Sequence, residues 1–166
     1  MSEAHAFPYG LEAIFSVGWG PFMLQRIGHP VPEGMLDNFS FGEGRIADGG
    51  KVSGEFRREG SGQIVMRTDG VGIIGVRATL ETPDGALIAV TYQGRVDLGE
   101  DGYQTYLAQG FPPQDAIPLP MVVHFHTTHP TYLWLNRLQG LGIGLMEPAR
   151  ALVAYEVYAV RSKHTP

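Results

Sequence analysis

Hydrophobic and polar residues alternate along much of this chain, and the alternating runs are separated by turns rich in glycine and proline. The clearest case is a pair of runs, residues 71–81 and 86–98, that flank the sequence TPDG. Pro83 suits the second position of a type I turn, and Gly85 is free to take a positive φ. The pattern therefore predicts a β-hairpin.

Other alternating or β-branched runs predict more strands. They lie at residues 11–17, 21–27, 45–56, 63–67, 103–109, 121–128 and 149–160. Residues 28–44 are rich in glycine and proline and are expected to form a loop, long enough to act as a lid. Residues 111–120 are rich in proline and are expected to connect strands, not to form a central strand. We find no amphipathic helix, so the expected fold is all-β, a single antiparallel β-barrel of roughly eight to ten strands.

Composition narrows the class of protein. A length of 166 residues is typical of one domain, and the absence of cysteine excludes disulfides, thiolate nucleophiles and iron–sulfur clusters. No signal peptide and no run of 18 apolar residues is present, so we expect a soluble cytoplasmic protein. The net charge of −5, without a Lys/Arg cluster, argues against nucleic acid and anionic membranes as partners.

The densest group of ionisable side chains lies in the sequence MVVHFHTTHPTYLWLNR, residues 121–137. Alternation places His124 and His126 on one face of the predicted strand, and His129 follows. Imidazoles titrate near neutral pH, so the pair is a candidate for general acid–base catalysis. The alternatives are ordinary hydrogen-bonded barrel residues, or a metal site completed by His129 or Glu156. No carboxylate follows at a recognised ligand spacing, so we expect no metal and no cofactor.

The hairpin contributes a second candidate set on one of its two faces. This face carries Arg77 and Arg95 together with Thr79, Thr91 and Gln93. Facing inward, these side chains would bind a carboxylate, phenolate or enolate oxygen, because a guanidinium is a fixed fork of donors. Facing outward, the arginines would be ordinary solvated residues. The spacing favours an inward Arg77, whereas Arg95 is nearer the end of its strand.

Four further residues are candidates with equally ordinary alternatives. Asp69 is expected either to cap its own turn or to partner a histidine at the barrel mouth. Tyr132 and Trp134 are suited to stacking on a ligand ring, although core packing is the simpler role for Trp134. Asn136 is expected to cap a turn or to bind a ligand carbonyl.

The sequences RTDGVGIIGVRATLETPDGALIAV, HPTYLWLNR and AYEVYAV occur in this order, and together they resemble a small family labelled domain of unknown function 3237. The resemblance implies an antiparallel barrel with a central cavity, often found as an oligomer. No general activity is established for this family. Relatives tend to carry acidic residues where this chain has Ile73 and Gly75, and Phe-Glu-Thr where it has Phe125-His126-Thr127. The resemblance therefore implies a less acidic cavity, suited to a mostly apolar organic ligand.

The leading functional hypothesis is a cofactor-independent lyase, isomerase or cyclase that acts on an aromatic or polyketide-like molecule inside the barrel. His124 or His126 would move the proton, and Arg77 with Asn136 or Tyr132 would stabilise the oxyanion. The alternative is a non-catalytic barrel that carries an apolar metabolite. A third possibility, a structural oligomer without a ligand, would be favoured if aromatic side chains fill the lumen.

Overall fold

The computed structural model describes residues 8–47, 49–58, 60–112 and 116–163, and most of them lie in β-strands. The strands are β1 Tyr9–Trp19, β2 Phe22–Val31, β3 Gly34–Phe41, β4 Gly44–Ile46, β5 Glu55–Phe56, β6 Ser61–Met66, β7 Val71–Glu81, β8 Leu87–Asp97, β9 Ile117–His126, β10 Gly140–Glu147 and β11 Leu152–Ser162. One α-helix, α1, spans Gly102–Gln109, and two 3₁₀ helices span Pro130–Arg137 and Pro148–Arg150.

Eight antiparallel strands close into a barrel. Their order around the ring is β7-β8-β9-β10-β11-β1-β4-β5, and β5 returns to β7. One edge of β7 is shared, because residues 72–77 pair with β6 while Leu80 and Glu81 pair with β5. Strands β6, β3 and β2 therefore extend from β7 as a branch, with β2 at its end. The predicted all-β antiparallel barrel is confirmed.

The β7–β8 hairpin has the predicted turn. Pairing runs without interruption from Val71–Asp97 to Glu81–Leu87. The turn is closed by hydrogen bonds from the Thr82 and Gly85 amides, and Gly85 has a φ of 82°, in the left-handed region that glycine tolerates. The local signals in the sequence were sufficient for this element.

Aromatic side chains fill most of the barrel interior. Trp19 is buried, and its ring centroid lies 4.4 Å from that of Phe56 and 4.9 Å from that of Phe41. Tyr92 and Tyr155 form a second buried pair, 5.2 Å apart. An apolar void beside Tyr155 and Phe41 measures about 30 Å³, room for only about one or two water molecules. An organic ligand does not fit in this void. The filled interior is the result expected of the third possibility, a structural oligomer without a ligand, so a ligand site must be sought outside the lumen.

Two strands replace the loop expected at residues 28–44. β2 continues to Val31, and β3 occupies Gly34–Phe41 with Met35, Phe39 and Phe41 buried. The loop prediction is wrong because glycine and proline masked the period-two pattern of β3. The converse error occurs at residues 45–56, where one strand was expected. Only the short strands β4 and β5 form, one at each end of this stretch.

Two further expectations on the second half of the chain are wrong. Residues 103–109 form helix α1, not a strand, and the helix ends at Gly110, which has a φ of 79°. β9 begins at Ile117, inside the stretch expected to be a connection, and it carries Pro118 and Pro120. None of the helices in the described ranges is long and apolar enough to cross a membrane.

Helix α1 is attached to the branch strands by a buried polar group. The Tyr106 hydroxyl donates a hydrogen bond of 2.8 Å to Asp37, whose side chain is buried on β3. Arg26 of β2 lies 3.5 Å from the same carboxylate and donates to the main-chain oxygens of Tyr106 and Leu107. Burial, followed by the hydrogen bond to Asp37, raises the pKa of Tyr106. This group fixes the helix against the branch strands β2 and β3.

Candidate functional site

The histidine pair lies on the outer surface of the barrel. On β9, Val123 and Phe125 point into the interior and are buried. The period of two then turns His124, which is half-buried, and His126, which is exposed, to the outside. The predicted alternation is present, but the expected inward orientation is wrong. Val and Phe occupy the interior because their burial removes more apolar surface from water.

The β7–β8 hairpin likewise has its apolar residues inside the barrel and its polar residues outside. Ile74, Val76 and Val90 are among the buried residues of its inner face. The opposite face, with the predicted binding residues, lies outside: Arg77, Arg95 and Gln93 are exposed, and Thr79 and Thr91 are half-buried. The expectation that Arg77 faces the lumen is therefore wrong. Both candidate sets nevertheless share one surface.

Part of this outer surface forms a groove of about 1010 Å³ over β2, β3, β6, β7 and β8. Three of the predicted residues, Arg77, Thr91 and Gln93, line it. Gly75 leaves its floor open, because a Cβ at this position would meet nothing within 4 Å. None of the described residues that line the groove is acidic.

Strand register arranges the polar residues of the groove in two cross-strand rows. One row contains Ser40, Ser61, Arg77, Thr91 and His124, one residue from each of five neighbouring strands. His124 thus lies beside Thr91 on the next strand, outside the groove lining. The second row is formed by Gln25, Asn38, Gln63, Gly75 and Gln93. Within it, the Gln63 amide donates to Asn38 over 3.1 Å.

Arg77 is one of the arginines without a counter-charge among the described residues, and it lies in the groove. Most arginines of the chain form ion pairs with aspartate or glutamate, as Arg57 does with Glu81. Arg77 forms no ion pair and no hydrogen bond within the described ranges. An unpaired guanidinium in a groove without carboxylates has the chemistry to bind an anionic group, which makes Arg77 a candidate. Arg95 is also unpaired among the described residues, but it lies outside the groove lining.

Asp69 is remote from the histidines. It forms an ion pair with Arg67 and accepts a hydrogen bond from the Val71 amide, as expected for a residue that caps its own turn. Val71 pairs with Asp97, six residues along β8 from the neighbour of His124. At about 3.4 Å per residue this is a separation of about 20 Å. The expected partnership with a histidine is therefore wrong.

The 3₁₀ helix Pro130–Arg137 has mainly structural contacts. Both amide atoms of Asn136 bind the Thr127 main chain, at 2.9 and 2.8 Å, so Asn136 caps the end of β9. Trp134 is partly buried against the core. The Tyr132 hydroxyl donates to Asp84 over 3.3 Å. Hydrogen bonds from Thr82 and then Tyr132, together with the charge of His129, lower the pKa of Asp84.

The described ranges contain no cluster of three or more His, Cys, Asp or Glu side chains placed to hold a metal ion. The groove residues that sequence reasoning missed are the polar residues of β2, β3 and β6, chiefly Gln25, Asn38 and Gln63. Their signal was present in β3, where buried residues alternate with half-buried Leu36, Asn38 and Ser40.

Comparison with known proteins identifies relatives of the same fold. No curated protein matches the chain. A crystal structure from Clostridium acetobutylicum ATCC 824 has a TM-score of 0.79 at 19% identity and covers 92% of this chain and 99% of its own. A β-barrel-like protein from Acinetobacter baumannii AYE has a TM-score of 0.76 at 25% identity, covering 96% and 100%. An enzyme from Penicillium herquei has a TM-score of 0.64 at 18% identity, with the same coverage as the Acinetobacter protein.

The sequence also matches a family model over most of its length. The matched residues are 14–160, and the family is described as a protein of unknown function, DUF3237. This range contains the hairpin and the strand β9 that carried the resemblance in sequence, so that resemblance is confirmed. The chain belongs to the DUF3237 family.

Proposed function

We propose that the protein is a cofactor-independent lyase, isomerase or cyclase that moves a proton on a small organic anion bound in the outer groove. The observation that supports this is the row Arg77, Thr91 and His124, with an unpaired guanidinium and an imidazole on either side of one strand. Strands lie about 4.8 Å apart, so the two Cα atoms are about 10 Å from each other. We propose that a small molecule lies between the two side chains, above Thr91, with one end in the groove.

The two groups have complementary roles. His124, as the free base, removes a proton from a carbon next to a carbonyl group, and the electron pair of the broken C–H bond moves to the carbonyl oxygen. Arg77 stabilises the resulting enolate through charge-assisted hydrogen bonds. The protonated imidazole then returns the proton to another carbon, or to a leaving group in a lyase. Atoms and charge balance without an oxidant or a metal.

The rest of the groove indicates the kind of ligand. Gln93 and the Asn38–Gln63 pair offer amide donors and acceptors to carbonyl or hydroxyl groups. Val65 and Ile73 line the same groove and suit an apolar body. We therefore propose an organic carboxylate or enolate with a ring or an alkyl chain. The Penicillium herquei protein is an enzyme with this fold, which is consistent with a catalytic use of the barrel.

A second function, binding without turnover, is favoured by one specific observation. No described residue forms a hydrogen bond to His124 or His126 in the structure. Catalytic imidazoles are usually oriented by a third group, and the described part of the chain supplies none to these two. A carrier or sensor would use Arg77 and the amides in the same way but would leave the ligand unchanged.

Deuterium exchange into phenylpyruvate separates the two functions. This molecule combines a ring, a carboxylate and an exchangeable C–H group beside a carbonyl, and proton NMR in D₂O follows the loss of the C–H signal. We expect the wild type to accelerate exchange above the rate in buffer, and His124→Gln to reduce that acceleration by at least about 100-fold. Arg77→Ala should weaken binding of phenylpyruvate, whereas Arg137→Ala, an exposed arginine outside the groove lining, should change neither.

The outcomes discriminate clearly. Binding that depends on Arg77, without accelerated exchange, would favour the carrier. Exchange that proceeds at the wild-type rate in both His124→Gln and Arg77→Ala would contradict the proposed site.

A further inference from the structure

Strand β2 forms a free edge of the extended sheet. It pairs with β3 on one side, and no other described strand pairs with its opposite edge. Five consecutive residues, 23–27, are exposed, and they include Met23 at 68% and Ile27 at 52%. A long, exposed and apolar edge strand offers unpaired main-chain groups to another strand.

The hydrogen bonds around Phe22 fix which main-chain groups are free. Phe22 lies opposite Phe41 in the β2–β3 register. The Phe22 amide donates to Ala151, and the Phe41 amide donates to Gly60, so neither bonds across the pair. Phe22 and Phe41 are therefore a non-hydrogen-bonded pair of the antiparallel ladder.

Alternation along β2 then assigns the following residues. Hydrogen-bonded and non-hydrogen-bonded pairs alternate in an antiparallel ladder, so Met23 and Gln25 bond to β3. Leu24 and Arg26 direct their N–H and C=O groups to the free edge. The register shifts between Arg26 and Gly28, which ends the regular part of this edge.

We propose that a second copy of this chain pairs with this edge, antiparallel, around a two-fold axis at Gln25. Leu24 then lies opposite the partner's Arg26, and Arg26 lies opposite the partner's Leu24. Each of these two pairs exchanges both of its outward main-chain groups, which gives four hydrogen bonds between the chains. Because both free edges are used, the contact closes as a dimer and does not continue as a fibre.

The side chains favour a two-fold axis at Gln25 over the two adjacent registers, with the axis at Leu24 or at Arg26. The Gln25 register uses only residues of the regular part of β2, with the two Gln25 side chains opposite each other on the groove side. An axis at Leu24 would need the Phe22 amide, which already donates to Ala151. An axis at Arg26 would place two guanidinium groups opposite each other, which is unfavourable.

The dimer would extend the groove. A two-fold axis perpendicular to the sheet keeps the outer faces of both chains on the same side. Met23, Leu24 and Gln25 form one wall of the groove, and the partner's Gln25, opposite Gln25 across the axis, would lengthen this wall in each copy. A contact made by one short strand lies at the low end of interface sizes, so we expect dissociation in the micromolar range.

Single cysteine variants test the register, because the natural chain contains no cysteine. In Gln25→Cys the two thiols meet at the axis with their Cα atoms about 4.5 Å apart, within disulfide range. In Met23→Cys the same atoms are about 14 Å apart along the strands. We expect mild oxidation to cross-link Gln25→Cys into a covalent dimer and to leave Met23→Cys uncrosslinked. Equal cross-linking of the two variants would overturn the proposal.

Sedimentation measurements test the association itself. We expect the wild type to shift from monomer to dimer with rising concentration, and Met23→Lys to remain monomeric with an unchanged circular dichroism spectrum. Ile143→Lys, at a residue of 53% exposure on β10, should dimerise like the wild type. A wild type that stays monomeric at hundreds of micromolar, or a dimer lost in Ile143→Lys and kept in Met23→Lys, would contradict the β2 contact.

Discussion

The two faces of the β7–β8 hairpin have the same backbone and opposite properties. On the inner face, Val90 and Tyr92 are buried, and an apolar void lined by Tyr155 and other core residues measures only about 30 Å³. On the outer face, Arg77 and Gln93 border a groove of about 1010 Å³ without an acidic residue among its described lining. Ligand pockets typically measure about 300–1,000 Å³. The interior is therefore the source of stability, and the outer surface has the room and the charge for binding.

The largest difference between the faces should appear when matched isoleucines are truncated. Ile88 is fully buried, whereas Ile143 is 53% exposed on the outside of β10. We expect Ile88→Ala to lower the free energy of unfolding by about 2–5 kcal/mol, because it leaves a cavity in a packed core. Ile143→Ala should change it by less than about 0.5 kcal/mol. Urea denaturation measures both, and equal losses would show that the interior is not tightly packed.

Helix α1 contains a second matched pair, a buried tyrosine with a hydrogen bond and a tyrosine without one among the described residues. Tyr106→Phe removes the donor to the buried carboxylate of Asp37, and we expect a loss of about 1.5–3 kcal/mol because the acceptor is charged. Tyr103→Phe on the same helix should cost less than about 0.5 kcal/mol, since this hydroxyl has no hydrogen bond among the described residues. Thermal unfolding of the two variants compares them, and a similar Tm for both would mean that the Asp37 contact contributes little.

Two glycines on neighbouring strands sharpen the contrast. A Cβ at Gly62 would lie 2.4 Å from the Gly75 carbonyl oxygen and 2.5 Å from the Phe39 ring, whereas one at Gly75 would meet nothing within 4 Å. We expect Gly62→Ala to lower the free energy of unfolding by about 1–3 kcal/mol through overpacking. Gly75→Ala should leave stability unchanged or slightly higher and should narrow the floor of the groove. Denaturation curves provide the test. A loss of stability in Gly75→Ala would show that the space above Gly75 is occupied and would contradict an open groove floor.

The last effect is expected at alkaline pH. Burial raises the pKa of Tyr92 and of Tyr155 above the ordinary value of 10.0. Between that value and the folded-state pKa, only the unfolded chain ionises, so stability is complete below pH 10 and falls as the pH rises above it. The slope is at most about 1.4 kcal/mol per pH unit for each tyrosine. The double variant Tyr92→Phe/Tyr155→Phe should lose less stability between pH 9 and 11, and an identical decline would exclude these tyrosines as its cause.

The fold was predictable where local signals agreed with the final structure. In the β7–β8 hairpin, the period of two, Pro83 and Gly85 all indicate the same element. In β3 the local signals disagree with the structure, because the charged residue Asp37 occupies a buried core position. Its partner Tyr106 is 69 residues away, so the reason for the buried charge is not visible in the sequence nearby. Helix α1 was missed because Tyr and Thr favour strands, and its contacts with the branch strands outweigh that preference.

The sequence was enough to predict which candidate residues share a strand face. It was not enough to predict whether that face points into the lumen or outward. Alternation alone places Arg77 and Thr91 on one face of the hairpin and His124 on the polar face of β9. In the structure these two faces are continuous, and the three residues form one row. Whether that row faces the lumen depends on what fills the interior. The filling comes from residues far apart in the chain, such as Trp19 and Tyr155, and no local pattern reveals how tightly they pack.

The most direct test of the outer site is an NMR titration of the isotope-labelled protein with phenylpyruvate. We expect shifts of the amide signals of Arg77, Thr91 and Gln93, with little change at the buried Trp19 indole. Arg77→Ala should abolish these shifts, and Arg137→Ala should retain them. Shifts that centre on Trp19 and Tyr92 and persist in Arg77→Ala would place the ligand inside the barrel and contradict the outer site.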